Sequence, residues 1–99
     1  MTTPIKLSTR QDGDGNTELT VTGEIDMSNA AGFRDALSQA GTSGADFTVD
    51  LTGVDYLDSA GLTALLPYAP RIKIIATTVL APVLSVSGLD PVTTVVARP

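Results

Sequence analysis

The sequence predicts an α/β domain, and three observations carry that reading. First, Glu18 to Ile25 alternates cleanly, with Leu19, Val21, Gly23 and Ile25 against Glu18, Thr20, Thr22 and Glu24. It follows a shorter alternating run and a glycine-rich turn, the pattern of a β-hairpin. Second, a strand, a helical run and another strand come in that order, which implies a parallel pair with a crossover helix. Third, Asp50 to Leu66 reads as the end of a strand, a tight loop, a serine and a helix. The 99 residues are 42% hydrophobic, enough for one core, so a single domain over 1–99 is expected.

Taken in order, Ile5, Leu7 and Thr9 alternate with polar neighbours and predict a first strand from Ile5 to Arg10. Asp12-Gly13-Asp14-Gly15-Asn16 is a turn, because Gly and Asn accept positive φ. After the second strand, Asp26 and Ser28 are credible helix caps. Met27, Ala30, Phe33, Leu37 and Ala40 follow at helical spacing, with Arg34, Asp35 and Gln39 outward. Gly41 is expected to close this helix in a left-handed conformation. Phe47, Val49 and Leu51 make the third strand. From Leu62 the apolar residues fall at 62, 65, 66 and 69, one face of a second helix with Ser59 at or near its first residue. Pro67 and Pro70 should end or kink it near Leu66 to Tyr68. Arg71 to Thr77 is a fourth strand, with Ile72, Ile74 and Ala76 on one side and Ile75 on the other. Pro82 suits the first turn of a third helix carrying Val83, Leu84 and Val86 and closed by Gly88. Asp90-Pro91 turns the chain into a last strand, Val92 to Val96.

Composition excludes several functions. The formal charge of −5 disfavours nucleic acid and anionic membranes as direct partners, which need clustered Lys and Arg. Only Arg71 and Lys73 lie close together. No run approaches the roughly 18 apolar residues of a membrane span, so no membrane insertion is expected. Met1 to Lys6 has no apolar stretch long enough for a signal peptide, and a cytoplasmic protein is expected. There is no Cys, hence no thiol nucleophile or thiolate metal site.

Two motifs imitate chemistry. Asp12-x-Asp14-x-Asn16 matches the first ligand positions of a calcium-binding EF-hand loop, but Thr17 stands where Gly is required and Gly23 where the bidentate Glu belongs. No metal and no cofactor is expected. Leu57-Asp58-Ser59-Ala60-Gly61 lacks the first Gly of a nucleophile elbow, and the chain has no His to take the serine proton. The domain is therefore expected not to be an enzyme. A helix N-terminus does present unpaired N–H groups and a partial positive charge. Ser59 could cap that helix, and a phosphate placed there would be stabilised.

The run Asp-Leu-Thr-Gly-Val-Asp-Tyr-Leu-Asp-Ser-Ala-Gly-Leu, residues 50–62, resembles the core motif of STAS domains, and in particular bacterial anti-sigma factor antagonists. Gly23-Glu24-Ile25-Asp26, followed by an alanine-bearing helix, is similar to the family's second strand and first helix, and Val83 to Val92, with Ser87-Gly88-Leu89-Asp90, to its third helix and final strand. The resemblance implies a STAS-like mixed β-sheet of about four or five strands packed against about three helices. It also implies that Ser59 is a phosphoacceptor. The partner would then be an anti-sigma factor that is itself an ATP-dependent serine kinase, and a serine phosphatase would reset the switch. Asp26 and Asp58 match acidic positions near the phosphorylated serine, and Tyr56, Leu57, Ala60 and Gly61 complete the partner-binding neighbourhood. Tyr56 and Leu57 suit a partner contact if exposed and are ordinary core if buried. Pro67 and Pro70 depart from the family, which continues a regular helix there. The alternative is a non-phosphorylated accessory subunit of a lipid-transport ABC system, also similar to STAS domains. A small-ligand or nucleotide sensor is a third class, unsupported by any phosphate loop.

Overall fold

The computed structural model describes residues 4–11, 13–86 and 94–98. Its elements are β1 (Lys6–Gln11), β2 (Thr17–Ile25), α1 (Ala30–Ala40), β3 (Phe47–Leu57), α2 (Ser59–Leu65), a 3₁₀ segment (Leu66–Arg71), β4 (Ile72–Thr77), α3 (Ala81–Val86) and β5 (Thr94–Arg98). The strands form one mixed sheet in the order β1-β2-β3-β4-β5. The hairpin pair β1–β2 is antiparallel, and β2 to β5 run parallel to one another. The C-terminal ends of four strands therefore face the same way. Ligand-binding and regulatory loops of parallel sheets gather at such an edge.

The period-2 pattern of β2 is realised in its burial: Leu19, Val21, Gly23 and Ile25 face the core and the residues between are half-buried. α1 lays Ala30, Phe33, Leu37 and Ala40 on that face. Burying a side chain such as Phe33 or Leu37 contributes about 1.5–3 kcal/mol before ordering costs. β4 buries Ile72, Ile74 and Ala76 in the same core, with Ile75 buried on the opposite face. β1, an edge strand, is exposed along its whole length, Leu7 included, and does not show the expected burial alternation. Of the hairpin turn, Asp12 lies outside the described residues; Gly15 takes a φ of 83°.

Further expectations are corrected. Met27 precedes α1 and is 82% exposed, because residues 27–29 form a turn that swings its side chain outward. Gly41 follows α1 with φ −93°, not left-handed. A Cβ there would stand 3.1 Å from both the Arg71 guanidinium and the Phe47 ring, so close approach, and not a left-handed backbone, is what favours glycine. Arg71 belongs to the 3₁₀ segment and not to the fourth strand; its Nη2 donates to the carbonyls of Gly41 (2.8 Å) and Ala45 (3.2 Å). Most consequentially, β3 runs on to Leu57 where a loop is expected. Its pairing with β2 slips twice, between Thr20 and Thr22 and between Gly23 and Glu24. These bulges change the burial period from two to three, so Leu51, Val54 and Leu57 all face the core. At Gly53 a side chain would meet Thr22 Cγ2 at 2.6 Å.

The second helix ends where Pro67 and Pro70 predict, passing from α to 3₁₀ at Leu66. Its buried positions are Gly61, Ala64 and Leu65, continued by Ala69. Leu62 is half-buried, and Leu66 is 50% exposed instead of lying on the buried face. Small residues carry the contact because α2 lies close to the sheet. Around α3, Leu80 and Leu84 are buried; Gly88 and Val92 lie outside the described residues.

Candidate functional site

Two loops meet at the C-terminal edge of the sheet: residues 26–29 after β2, and Asp58 after β3. Asp58 joins them. Its backbone is extended (φ −95°, ψ −174°), as an N-cap requires. One carboxylate oxygen, Oδ1, accepts from the N–H groups of Ala60 (2.9 Å) and Gly61 (3.2 Å). The other, Oδ2, crosses to the first loop and accepts from the Met27 N–H at 3.2 Å. The Asp58 N–H donates to the Ile25 carbonyl at 3.1 Å.

Because Asp58 is the cap, Ser59 is not. It is the first residue of α2 and exposed. Its carbonyl accepts from the Thr63 hydroxyl at 2.7 Å, and its own hydroxyl has no partner among the described residues. The negative end of Asp58 and the free hydroxyl of Ser59 are thus adjacent at one helix start.

Asp26 organises the first loop. Its Oδ1 accepts from the Ser28 hydroxyl and from the Ser28 N–H, the latter at 2.9 Å. The Ser28 hydroxyl, then its N–H, hold the Asp26 carboxyl below the ordinary carboxylate value; the slight burial opposes them and the Asn29 N–H adds to them. Asn29 was not singled out by the sequence, yet its Oδ1 accepts from the Asp26 N–H (3.0 Å) and its Nδ2 donates to the Glu24 carbonyl (2.8 Å). The Asp-x-Ser-Asn spacing, typical of side-chain-to-backbone turns, is the signal that marks it.

The remaining site residues divide by exposure. Tyr56 is 52% exposed, so its side chain is available at the surface, as is that of Met27. Leu57 is 7% exposed and belongs to the core, so it is not contact surface; the bulges of β3 turn it inward. Gly61 is buried, and a Cβ there would stand 2.2 Å from Leu57 Cδ1 and 2.9 Å from Ile25 Cγ2. Gly61 therefore sets how closely α2 approaches the sheet. Ala60 is half-buried. Among the described residues no helix is long and apolar enough to cross a membrane.

A family model described as "Mlab, STAS domain" matches residues 8–94. The chain belongs to the STAS domain family. No curated protein matches it. Among solved structures, this STAS domain is similar to an anti-sigma factor antagonist from Mycobacterium paratuberculosis, at 24% identity over 94% of this chain and 86% of that one, with a TM-score of 0.84. It is similar to the antagonist SpoIIAA in its unphosphorylated form, at 13% identity over 95% and 90% of the two chains, with a TM-score of 0.67. A third likeness is to the STAS domain of an antagonist from Rhodobacter sphaeroides, at 14% identity over 73% and 84%, with a TM-score of 0.55. At these identities the likeness shows the fold: a mixed five-stranded sheet with three helices.

Proposed function

We propose that this STAS domain is a cytoplasmic anti-sigma factor antagonist, a binding module and not an enzyme, switched by phosphorylation of Ser59. Its partner is an anti-sigma factor that is also an ATP-dependent serine kinase; the unphosphorylated domain binds it, and a serine phosphatase restores that state. The observation that carries the reading is the division of labour at the helix start. Asp58 satisfies the orphan N–H groups, which leaves the Ser59 hydroxyl exposed and unengaged.

A phosphate on Ser59 adds about −1.5 to −2 charges at neutral pH. It would stand beside Asp58 in a chain already at −5. Within the domain the helix N-terminus offsets part of that charge. A partner packed on Met27, Tyr56 and Ser59 would have to desolvate it. A penalty of about 3 kcal/mol weakens binding roughly a hundredfold. The switch acts at the interface and leaves the fold unchanged.

The test is titration calorimetry of the domain against its cognate kinase-type anti-sigma factor. Ser59→Ala is expected to bind constitutively and Ser59→Glu weakly, both with wild-type circular dichroism, and the wild type should carry phosphate on Ser59 by mass spectrometry. Equal affinities of the two variants, with no phosphate transferred, would sink the switch.

One observation favours a second reading. The family model matched is the one described as Mlab, and the departure at Pro67 and Pro70 leaves Leu66 exposed on the helix that follows Ser59. An accessory subunit of a lipid-transport ABC system would bind its ATPase through this face without phosphorylation. Its affinity would respond to Leu66→Asp and not to Ser59→Glu.

A further inference from the structure

β5 is the last strand of the sheet, and among the described residues it has a neighbour on one side only. Its directions are set by one hydrogen bond. The Thr78 N–H donates to the Arg98 carbonyl at 2.9 Å, next to the Thr77–Arg98 pair of the parallel ladder. In a strand the N–H and C=O of one residue point to the same side, and the side alternates along the chain. Thr94, Val96 and Arg98 therefore direct their backbone groups at β4. Val95 and Ala97 direct theirs outward, leaving two N–H and two C=O groups on an open edge.

The two edges of the sheet are treated differently. β1 carries Lys6 and Arg10, and Arg10 pairs with Glu18 at 3.3 Å. Such charges discourage a further strand from docking. β5 has none over Thr94-Val95-Val96-Ala97, three of them β-branched, and ends in Arg98. Val95 and Val96 are only half-buried.

We propose that β5 is a self-association edge, on which a second copy of this chain pairs antiparallel about a two-fold axis at Val96. In that register Val95 of each copy stands opposite Ala97 of the other. Both are hydrogen-bonded pairs, so all four outward groups of each strand are satisfied. Val96 meets its own counterpart in a close, non-hydrogen-bonded pair, with Cα atoms about 4.5 Å apart. Moving the axis to Val95 or to Ala97 leaves the other outward residue without a partner inside the strand. Placing it between two residues sets outward groups against inward ones and makes no bonds. The charges agree with the same register, because Arg98 faces Thr94 of the second copy and not another Arg98. The contact is isologous and closes on itself, so it yields a dimer and not a fibre. One five-residue strand pair is smaller than the roughly 1,200–2,000 Å² of a stable interface, so the dimer is weak and concentration-dependent.

The test uses the full chain. In sedimentation equilibrium the apparent mass should rise from 10.2 kDa toward twice that value as concentration increases from micromolar to millimolar. Ala97→Pro removes an outward N–H that β4 does not use, and should stay folded and monomeric. Because the chain has no Cys, a single cysteine reports the register directly. Oxidised Val96→Cys should form an intermolecular disulfide at least about tenfold faster than Thr94→Cys, whose two copies would lie roughly 13 Å apart, beyond disulfide reach. If Ala97→Pro does not fold, the two cysteine variants decide alone. A monomer at every concentration, or cross-linking no faster through Val96→Cys than through Thr94→Cys, overturns the proposal. So does a dimer that a folded Ala97→Pro retains, which would place the contact elsewhere on the chain.

Discussion

Asp58→Ala should loosen the C-terminal edge of the sheet by an amount the structure allows to be worked out. The substitution removes three accepted hydrogen bonds: two from the first turn of α2, at 2.9 and 3.2 Å, and one from the Met27 N–H, at 3.2 Å. Loss of an N-cap acceptor costs about 0.5–2 kcal/mol. The bond to Met27 is charge-assisted but partly solvated, so about 1 kcal/mol is the fitting share. The sum is about 1.5–3 kcal/mol. With a urea m-value of roughly 1–3 kcal/mol/M, the midpoint should fall by about 0.5–3 M. Asp58→Asn separates the parts. Its carbonyl oxygen can still cap α2, but its amide would set a donor against the Met27 N–H, so the cost should be about 1 kcal/mol. Ser59→Ala is the control and should stay within about 0.5 kcal/mol, the size of an ordinary surface change. If Ser59→Ala costs as much as Asp58→Ala, the serine is the cap and the free hydroxyl on which the proposed switch depends does not exist. If Asp58→Ala costs under about 0.5 kcal/mol, Asp58 does not join the loops.

Three other outcomes can be checked on the same protein. Gly61→Ala should lose about 1–3 kcal/mol in urea melts, because its Cβ would sit 2.2 Å from Leu57 Cδ1, whereas Gly32→Ala in α1, with nothing within 4 Å, should gain about 0.5–1 kcal/mol. Leu65→Ala should cost about 2–5 kcal/mol and Leu66→Ala under about 0.5, since Leu65 is fully buried and Leu66 is 50% exposed; equal costs would mean that the helix does not change type at Leu66. The Asp26 carboxyl should titrate below 3.8 by NMR. Its pKa is lowered in the folded state, so whatever it adds to stability is complete above that ordinary value and is lost as pH falls through the lowered one, and Ser28→Ala should bring the titration back toward 3.8.

What the sequence determined by itself follows from local rules. Alternation along Glu18 to Ile25, the helical spacing of Ala30, Phe33, Leu37 and Ala40, and the breaks at Pro67 and Pro70 depend on backbone periodicity and on nearby residues. The strand-helix-strand order then requires parallel neighbours, and the motif around Ser59 marks the family. Tertiary structure decided what depends on partners distant in the chain. β3 extends to Leu57 because β2 pairs with it that far, and two bulges in that pairing turn Leu57 inward and leave Tyr56 outside. The capping role falls to Asp58 and not to Ser59 because one aspartate reaches both its own helix and Met27, thirty-one residues away. Leu66 lies outside because small residues at Gly61 and Ala64 bring α2 close to the sheet before the 3₁₀ turn carries the chain away. The open edge of β5 belongs to the same class: a strand's sequence states its preference to pair, and only strand order shows which side is left unpaired.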